Sequence, residues 1–161
     1  MLEIKGYITK ATFDLFSSQL RHLTAQGTEE VTIYFNSPGG DVQPSLLLYE
    51  TIKNSRVDTI IGVIDGECSS SAIVSFLACK KRYATKHSNI YLHAIEIKKK
   101  LPLITAEYLQ ERRAIQNELN GIILEKTTFP KNKLEGITNS GEDYKLFLSE
   151  AMSYGFIESI L

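Results

Sequence analysis

The chain contains no tryptophan, and its 161 residues include only two cysteines, four prolines and three histidines. Cys68 and Cys79 show neither the C-x-x-C spacing nor the Cys/His spacing of a metal or redox site, so they indicate reduced thiols in an intracellular protein. No apolar run approaches the ~18 residues of a membrane span. The first residues also lack the basic and apolar regions of a secretory signal. We therefore expect a cytoplasmic protein that needs no metal or other cofactor.

The chain also lacks an excess of charge of either sign, since the net charge is −1 and the pI is near 6.3. This balance gives no electrostatic reason to expect a nucleic acid or a membrane surface as a partner. The one basic run, Lys98 to Lys100, indicates a solvated edge. With 43% apolar residues, a chain of this length predicts one domain with a substantial core.

Strand-like and helix-like segments alternate along the chain. Alternating or short apolar runs predict strands over residues 2–8, 31–35, 57–64, 81–85 and 90–93. Helical spacing predicts helices over residues 11–23, 42–54, 73–78, 105–126, 130–137 and 148–154. Thr9, Asp41 and Thr105 stand where they can cap three of these helices. The order predicts βαβ units, a largely parallel sheet and a single α/β domain over residues 1–161.

A predicted strand turns into a predicted helix at G-E-C-S-S-S-A, residues 66–72. A serine at such a junction lies near the unpaired N–H groups and the positive dipole end of the helix. That environment suits a nucleophile that leaves an oxyanion behind. Ser69, Ser70 and Ser71 could equally be ordinary helix N-caps.

A serine nucleophile needs a base, which is usually a histidine held by a carboxylate. His22 lies beside the apolar face of the first helix and indicates solvated surface, and His87 lies in a polar turn. His93 ends a buried-looking strand, where the sites of open α/β sheets gather. It is the best candidate base, although a core histidine bonded to the backbone would show the same pattern.

The turn Pro38-Gly39-Gly40 has two interpretations. The glycines relieve backbone strain between a strand and a helix. Alternatively, the Gly40 N–H and the N–H after the nucleophile together form an oxyanion hole.

In this order the segments resemble the ClpP family, the proteolytic subunit of the Clp protease, within the ClpP/crotonase superfamily. Four stretches match family motifs with substitutions. Residues 35–40 match the family's I-N-S-P-G-G, residues 66–72 its G-x-A-A-S-M-G, residues 81–93 its K-R-F-x-L-P-N-S-x-x-M-I-H, and residues 150–158 its E-A-x-x-Y-G-L-V-D. The resemblance covers residues 6–160. It implies the ClpP/crotonase-type spiral of βαβ units, with a head at about 1–93 and 137–161. A protruding strand–helix handle would occupy about 94–136.

The resemblance also implies residue roles. Ser70 is the nucleophile, His93 is the base, and Asp143 is the acid that orients the imidazole. The backbone N–H groups of Gly40 and Ser71 form the oxyanion hole. The implied activity is that of a serine endopeptidase that cleaves peptides or unfolded protein. It would work inside a homo-oligomeric ring, a heptamer that could stack into a tetradecamer.

The chain departs from the family in three places. It begins at the family's first core strand, which puts coupling to an AAA+ unfoldase in question, because the axial segments that help such docking precede that strand. Ser71 and Ala72 replace a methionine and a glycine after the nucleophile. The family's H-Q-P-L-G-G segment is also replaced, and alternation of Ile95, Ile97 and Leu101 predicts a strand there.

Alternatives stay open at this stage. Glu142 competes with Asp143 as the acid, and Asp143 could be a plain loop residue or a local helix cap. The chain could be a catalytically inactive ring subunit that pairs with an active homologue, although all triad positions are filled. A crotonase-like acyl-CoA enzyme would need carboxylates where this chain has serines. A Ser–Lys dyad would have to use Lys98 to Lys100, which show no sign of desolvation.

Overall fold

A computed structural model describes residues 1–96 and 102–161. Within those ranges the strands are β1 (Leu2–Lys5), β2 (Glu30–Ser37), β3 (Thr59–Ser69), β4 (Lys81–Ala84), β5 (Asn89–Leu92), β6 (Tyr144–Leu146) and β7 (Ser159–Ile160). The helices are α1 (Lys10–Ala25), α2 (Val42–Lys53), α3 (Ser71–Leu77), α4 (Ala106–Lys126), α5 (Lys131–Ser140) and α6 (Leu148–Ser153). Each strand predicted over residues 2–93 and each predicted helix is confirmed with shifted ends, whereas β6 and β7 were not predicted.

The strands form one sheet that is mostly parallel, as the alternation of strands and helices predicts. The main path runs β1-β2-β3-β4-β7, and all of its neighbours pair in parallel. The far end of β3 pairs in parallel with β5, and β6 then pairs antiparallel with β5. Long β3 therefore joins the main sheet to the short strands around the candidate site.

The core lies between this sheet and the helices that cover it. Alternate β2 residues Val31, Ile33 and Phe35 are buried, as expected for a strand with one face on the core. The Phe35 ring meets the Phe76 ring of α3 edge-on, with centroids 5.3 Å apart. This contact fixes α3 on the sheet immediately after the serine run.

Two of the three predicted helix caps are confirmed. The Thr9 and Thr105 hydroxyl oxygens accept from the N–H groups of Thr12 and Tyr108 at the starts of α1 and α4. Asp41 occupies the N-cap position of α2 without a side-chain cap bond, so that part of the prediction is wrong.

The predicted handle strand is only partly described. Ile97, Leu101 and the Lys98 to Lys100 run lie outside the described residues. Ile95 is described and belongs to no strand, so the strand prediction is wrong at that residue. Its N–H instead donates to a side chain of α4.

Candidate active site

Ser70 lies at the junction where β3 ends and α3 begins. Its φ of 54° and ψ of −131° make it the one non-glycine residue of the described chain with a positive φ. Such a conformation costs about 1–3 kcal/mol and persists only where the surroundings over-determine it. Here the Ser70 N–H donates to the Tyr91 carbonyl at 3.0 Å, which ties the turn to β5. The strain and its support are those of a strand–turn–helix that presents a nucleophile.

The three serines of the run have different surroundings. The Ser69 hydroxyl is buried and donates to Glu67 Oε1 at 2.7 Å. The Ser71 hydroxyl is buried among hydrogen bonds to α2 and to the Gly-Gly turn. Within the described residues, no hydrogen bond of the Ser70 hydroxyl is found and none caps α3. Ser70 is therefore the serine whose oxygen is uncommitted.

The Pro-Gly-Gly turn is pressed against the Ser70 turn. Gly39 has φ 93°, and a Cβ there would be 2.8 Å from both Ser70 Cβ and the Ser69 carbonyl oxygen. A Cβ on Gly40 would collide with the Ile8 backbone. Only glycines allow this approach, so these two positions serve the site as well as the turn.

The Gly40 N–H, one of the two predicted oxyanion donors, already has a hydrogen-bond partner. It donates to Ser71 Oγ at 3.1 Å. The other predicted oxyanion donor, the Ser71 N–H, stands at the first position of α3, where no intrahelical acceptor exists. The two predicted donors thus lie on adjoining turns, but the Gly40 N–H has a hydrogen-bond acceptor whereas the Ser71 N–H has none within its helix.

His93 follows β5 directly and is half-buried. Its Nδ1 lies 2.6 Å from the Ala94 carbonyl oxygen, which can only accept. In the neutral ring Nδ1 therefore carries the proton, and Nε2 holds the lone pair of a base. Ser70, His93 and Gly40 line one cleft of about 360 Å³. His22 and His87 are exposed and line no part of that cleft.

Asp143 immediately precedes β6, and His93 immediately follows β5. The antiparallel pairing of these strands ends with Leu92 opposite Tyr144, so His93 and Asp143 each lie one residue beyond that last pair. Both residues line a cavity of about 1170 Å³, which Glu142 does not line. Asp143 is exposed, and within the described residues no hydrogen bond joins it to His93. Asp143 and His93 therefore share a cavity but are not hydrogen-bonded to each other.

A polar chain that was not predicted holds the segment after His93. Gln116 of α4 accepts from the Ile95 N–H at 2.8 Å and donates to Asn120 at 2.9 Å. Asn120 in turn donates to Thr138 Oγ1 of α5 at 3.2 Å. The sequence did contain a signal for this chain of hydrogen bonds. Gln116 and Asn120 are four residues apart, on a helix face that also carries buried Leu119 and Ile123.

The family model for the Clp protease matches residues 1–161. This chain belongs to the Clp protease family. A solved ClpP1 mutant from Listeria monocytogenes superposes with a TM-score of 0.87 at 23% identity, covering 99% of this chain and 90% of that chain. The resemblance seen in the sequence is confirmed, and so is the ClpP fold.

The two cysteines of this Clp-family chain lie in the core. Burial raises the pKa of the Cys68 and Cys79 thiols well above the ordinary range, which makes both inert as nucleophiles. The described residues include no cluster of histidine, cysteine and carboxylate side chains able to hold a metal ion. None of the described helices is both long and apolar enough to span a membrane.

Proposed function

We propose that this chain is a serine endopeptidase subunit in which Ser70 is the nucleophile and His93 is the base. The observation that supports this most is the strained Ser70 turn, which presents an uncommitted hydroxyl to the cleft that His93 also lines. Membership of the Clp protease family independently supports peptide cleavage.

In the proposed reaction Ser70 Oγ attacks the peptide carbonyl while His93 Nε2 takes the hydroxyl proton. The proton then passes to the departing amine, which leaves an acyl ester on Ser70. A water molecule, deprotonated by the same nitrogen, hydrolyses that ester and regenerates the serine. The Ser71 and Gly40 N–H groups stabilise the tetrahedral oxyanion in both steps.

Asp143 is the proposed acid of the triad. In the peptide-free protein the Ala94 carbonyl already holds Nδ1–H, so the tautomer is set without a carboxylate. A carbonyl carries no charge to balance the imidazolium that forms during attack. The Asp143 carboxylate, which lines the same cavity as His93, supplies that charge.

The proposed substrates are extended peptides or unfolded protein, as the family implies. We propose a homo-oligomeric ring, a heptamer or a stacked tetradecamer, and a cytoplasmic location. The mass of the assembled protein in sedimentation tests the ring. Binding of an AAA+ unfoldase is a separate question, tested by unfoldase-dependent degradation of a folded substrate.

The central experiment is labelling with a fluorophosphonate probe, which phosphonylates activated serines with loss of fluoride. We expect Ser70→Ala to lose labelling and peptide hydrolysis, because it removes the attacking oxygen. The matched control is Ser69→Ala, which removes the neighbouring hydroxyl and should keep both signals. Unchanged labelling of folded Ser70→Ala protein would refute the proposal.

One observation favours the second candidate, an inactive ring subunit that pairs with an active homologue. Within the described residues the three triad side chains share no hydrogen bond, and His93 is bonded to Ala94 instead. The same probe decides between the two. A folded, assembled wild-type protein that fails to label would support the inactive subunit.

A further inference from the structure

The Ser71 side chain belongs to a buried group of hydroxyls beneath the Gly-Gly turn. Ser45 of α2 and Ser71 of α3 are 0% and 2% exposed, and their hydroxyl oxygens are 2.9 Å apart. The Ser45 hydroxyl also lies 2.9 Å from the Asp41 carbonyl oxygen. The group therefore links α2, α3 and the turn between β2 and α2.

The number of hydroxyl protons in this group determines whether Ser71 can accept a hydrogen bond from the turn. Each hydroxyl has one proton, and the Ser45 proton can go to Asp41 or to Ser71. In either arrangement a Ser71 lone pair remains free for the Gly40 N–H, which lies 3.1 Å away. The hydrogen bond from Gly40 to Ser71 is thus compatible with every arrangement of the group.

We propose that the Ser71 hydroxyl is a positioning residue that keeps the oxyanion hole closed in the peptide-free protein by holding the Gly40 N–H. The inference rests on the proposed function, in which Gly40 is an oxyanion donor. A bound peptide must draw this N–H away from Ser71 before it can stabilise the tetrahedral intermediate. The side chain of Ser71 thereby opposes what its own backbone N–H assists.

The consequence is that removing the hydroxyl should speed acylation. Ser71→Ala keeps the backbone N–H donor and removes the acceptor that competes for Gly40, together with the bonds of this hydroxyl to the Gly40 carbonyl oxygen and to Ser45. A partly buried N–H left without its partner gains more from an oxyanion, so we expect acylation of Ser70 to be about tenfold faster. A purely structural role for Ser71 would give an equal or slower rate.

Ser75→Ala is the matched control. Ser75 lies one turn further along α3, is fully buried, and donates to the Ser45 carbonyl oxygen at 2.9 Å. The substitution therefore removes a buried hydroxyl of the same helix without touching Gly40. Its acylation rate should stay within about twofold of the wild type, because only stability is affected.

The experiment measures the rate at which a fluorophosphonate probe phosphonylates Ser70, as the readout of acylation, in the assembled wild type, Ser71→Ala and Ser75→Ala. Amide hydrogen exchange at Gly40 is measured in the same proteins. We expect Ser71→Ala alone to show faster acylation and faster Gly40 exchange. An unchanged or slower acylation rate in folded Ser71→Ala protein overturns the inference. If that variant does not fold, Ser71→Cys replaces the hydroxyl by a weak acceptor of similar size, with the same expected directions.

The exchange measurement separates this inference from the proposed function. If no variant and no wild-type protein labels at Ser70, the proposed function fails. Gly40 exchange that is slow in the wild type and fast in Ser71→Ala would still support the closing contact. Gly40 exchange that does not respond to Ser71→Ala overturns it.

Discussion

At the scale of single residues, the backbone of Ser70 is the most constrained point of the site. It keeps a positive φ because Cys68 and Ala72 on either side are fully buried, and their packing in the core prevents the backbone from relaxing. Gly39 packs against its Cβ from the other side. The hydroxyl therefore projects from a turn that the core holds in place, which is the preorganisation a nucleophile needs.

Asp143→Asn tests the acid at the same scale. The amide keeps the shape but cannot balance an imidazolium, so we expect kcat/KM for a fluorogenic peptide to fall by about 10²-fold or more. Glu142→Gln is the matched control, since Glu142 is exposed and bonds through its N–H to Ser140. Loss of activity in the Glu142 variant with retention in the Asp143 variant would transfer the role to Glu142.

At the scale of elements, β6 is the strand that brings Asp143 to His93. It has only three residues, and contacts between the Tyr144 side chain and two neighbouring helices hold it in place. The Tyr144 hydroxyl donates to Glu150 Oε1 at 2.8 Å, and Lys133 Nζ lies 3.1 Å from the same oxygen. Lys133 also stacks 4.7 Å from the centre of the Tyr144 ring. This cluster ties β6 to α5 and α6.

The cluster predicts a specific pH dependence of stability. The hydrogen bonds from Tyr144 and then Lys133 lower the pKa of Glu150 below its ordinary value near 4.5. Because the folded state holds the carboxylate ionised, the stabilisation is present above that ordinary value. It is lost as the pH falls through the lower folded pKa.

We therefore expect the free energy of urea unfolding to fall more steeply below about pH 4.5 in the wild type than in Glu150→Gln. Glu135→Gln is the control, since Glu135 forms an exposed pair with Lys131. Wild type and Glu150→Gln curves that run parallel from pH 6 to pH 3 would contradict the prediction.

At the scale of the whole molecule, the packing of α3 on the sheet positions the site. Gly62 in the middle of β3 lies under α3, and a Cβ there would be 2.9 Å from both Phe76 and the Cys79 sulfur. Because β3 and α3 together carry the Ser70 turn, any shift between them moves Ser70, the proposed nucleophile. The site thus depends on a contact made far from the cleft.

Gly62→Ala tests this dependence. The added methyl group overpacks the core, so we expect the free energy of unfolding to drop by about 1–3 kcal/mol and the acylation rate to fall with it. Gly136→Ala is the control, because a Cβ there meets nothing within 4 Å on an exposed part of α5. It should raise stability by about 0.5–1 kcal/mol. Urea unfolding at one protein concentration measures both effects.

The sequence by itself determined the elements and the candidate residues. Hydrophobic periodicity and cap residues act over a few positions, so the helices, the long strands and the Thr9 and Thr105 caps could be predicted. Motif order pointed to the ClpP fold, which the comparisons confirmed. The candidate triad came from the same motifs and remains a proposal.

Only the tertiary structure decided the features that depend on partners distant in the chain. Strands β6 and β7 exist because β5 and β4 pair with them, and two or three residues carry too little pattern of their own. The bond between Gly40 and Ser71 spans 31 positions of sequence. It depends on how α3 packs beside the turn, and no local propensity encodes that.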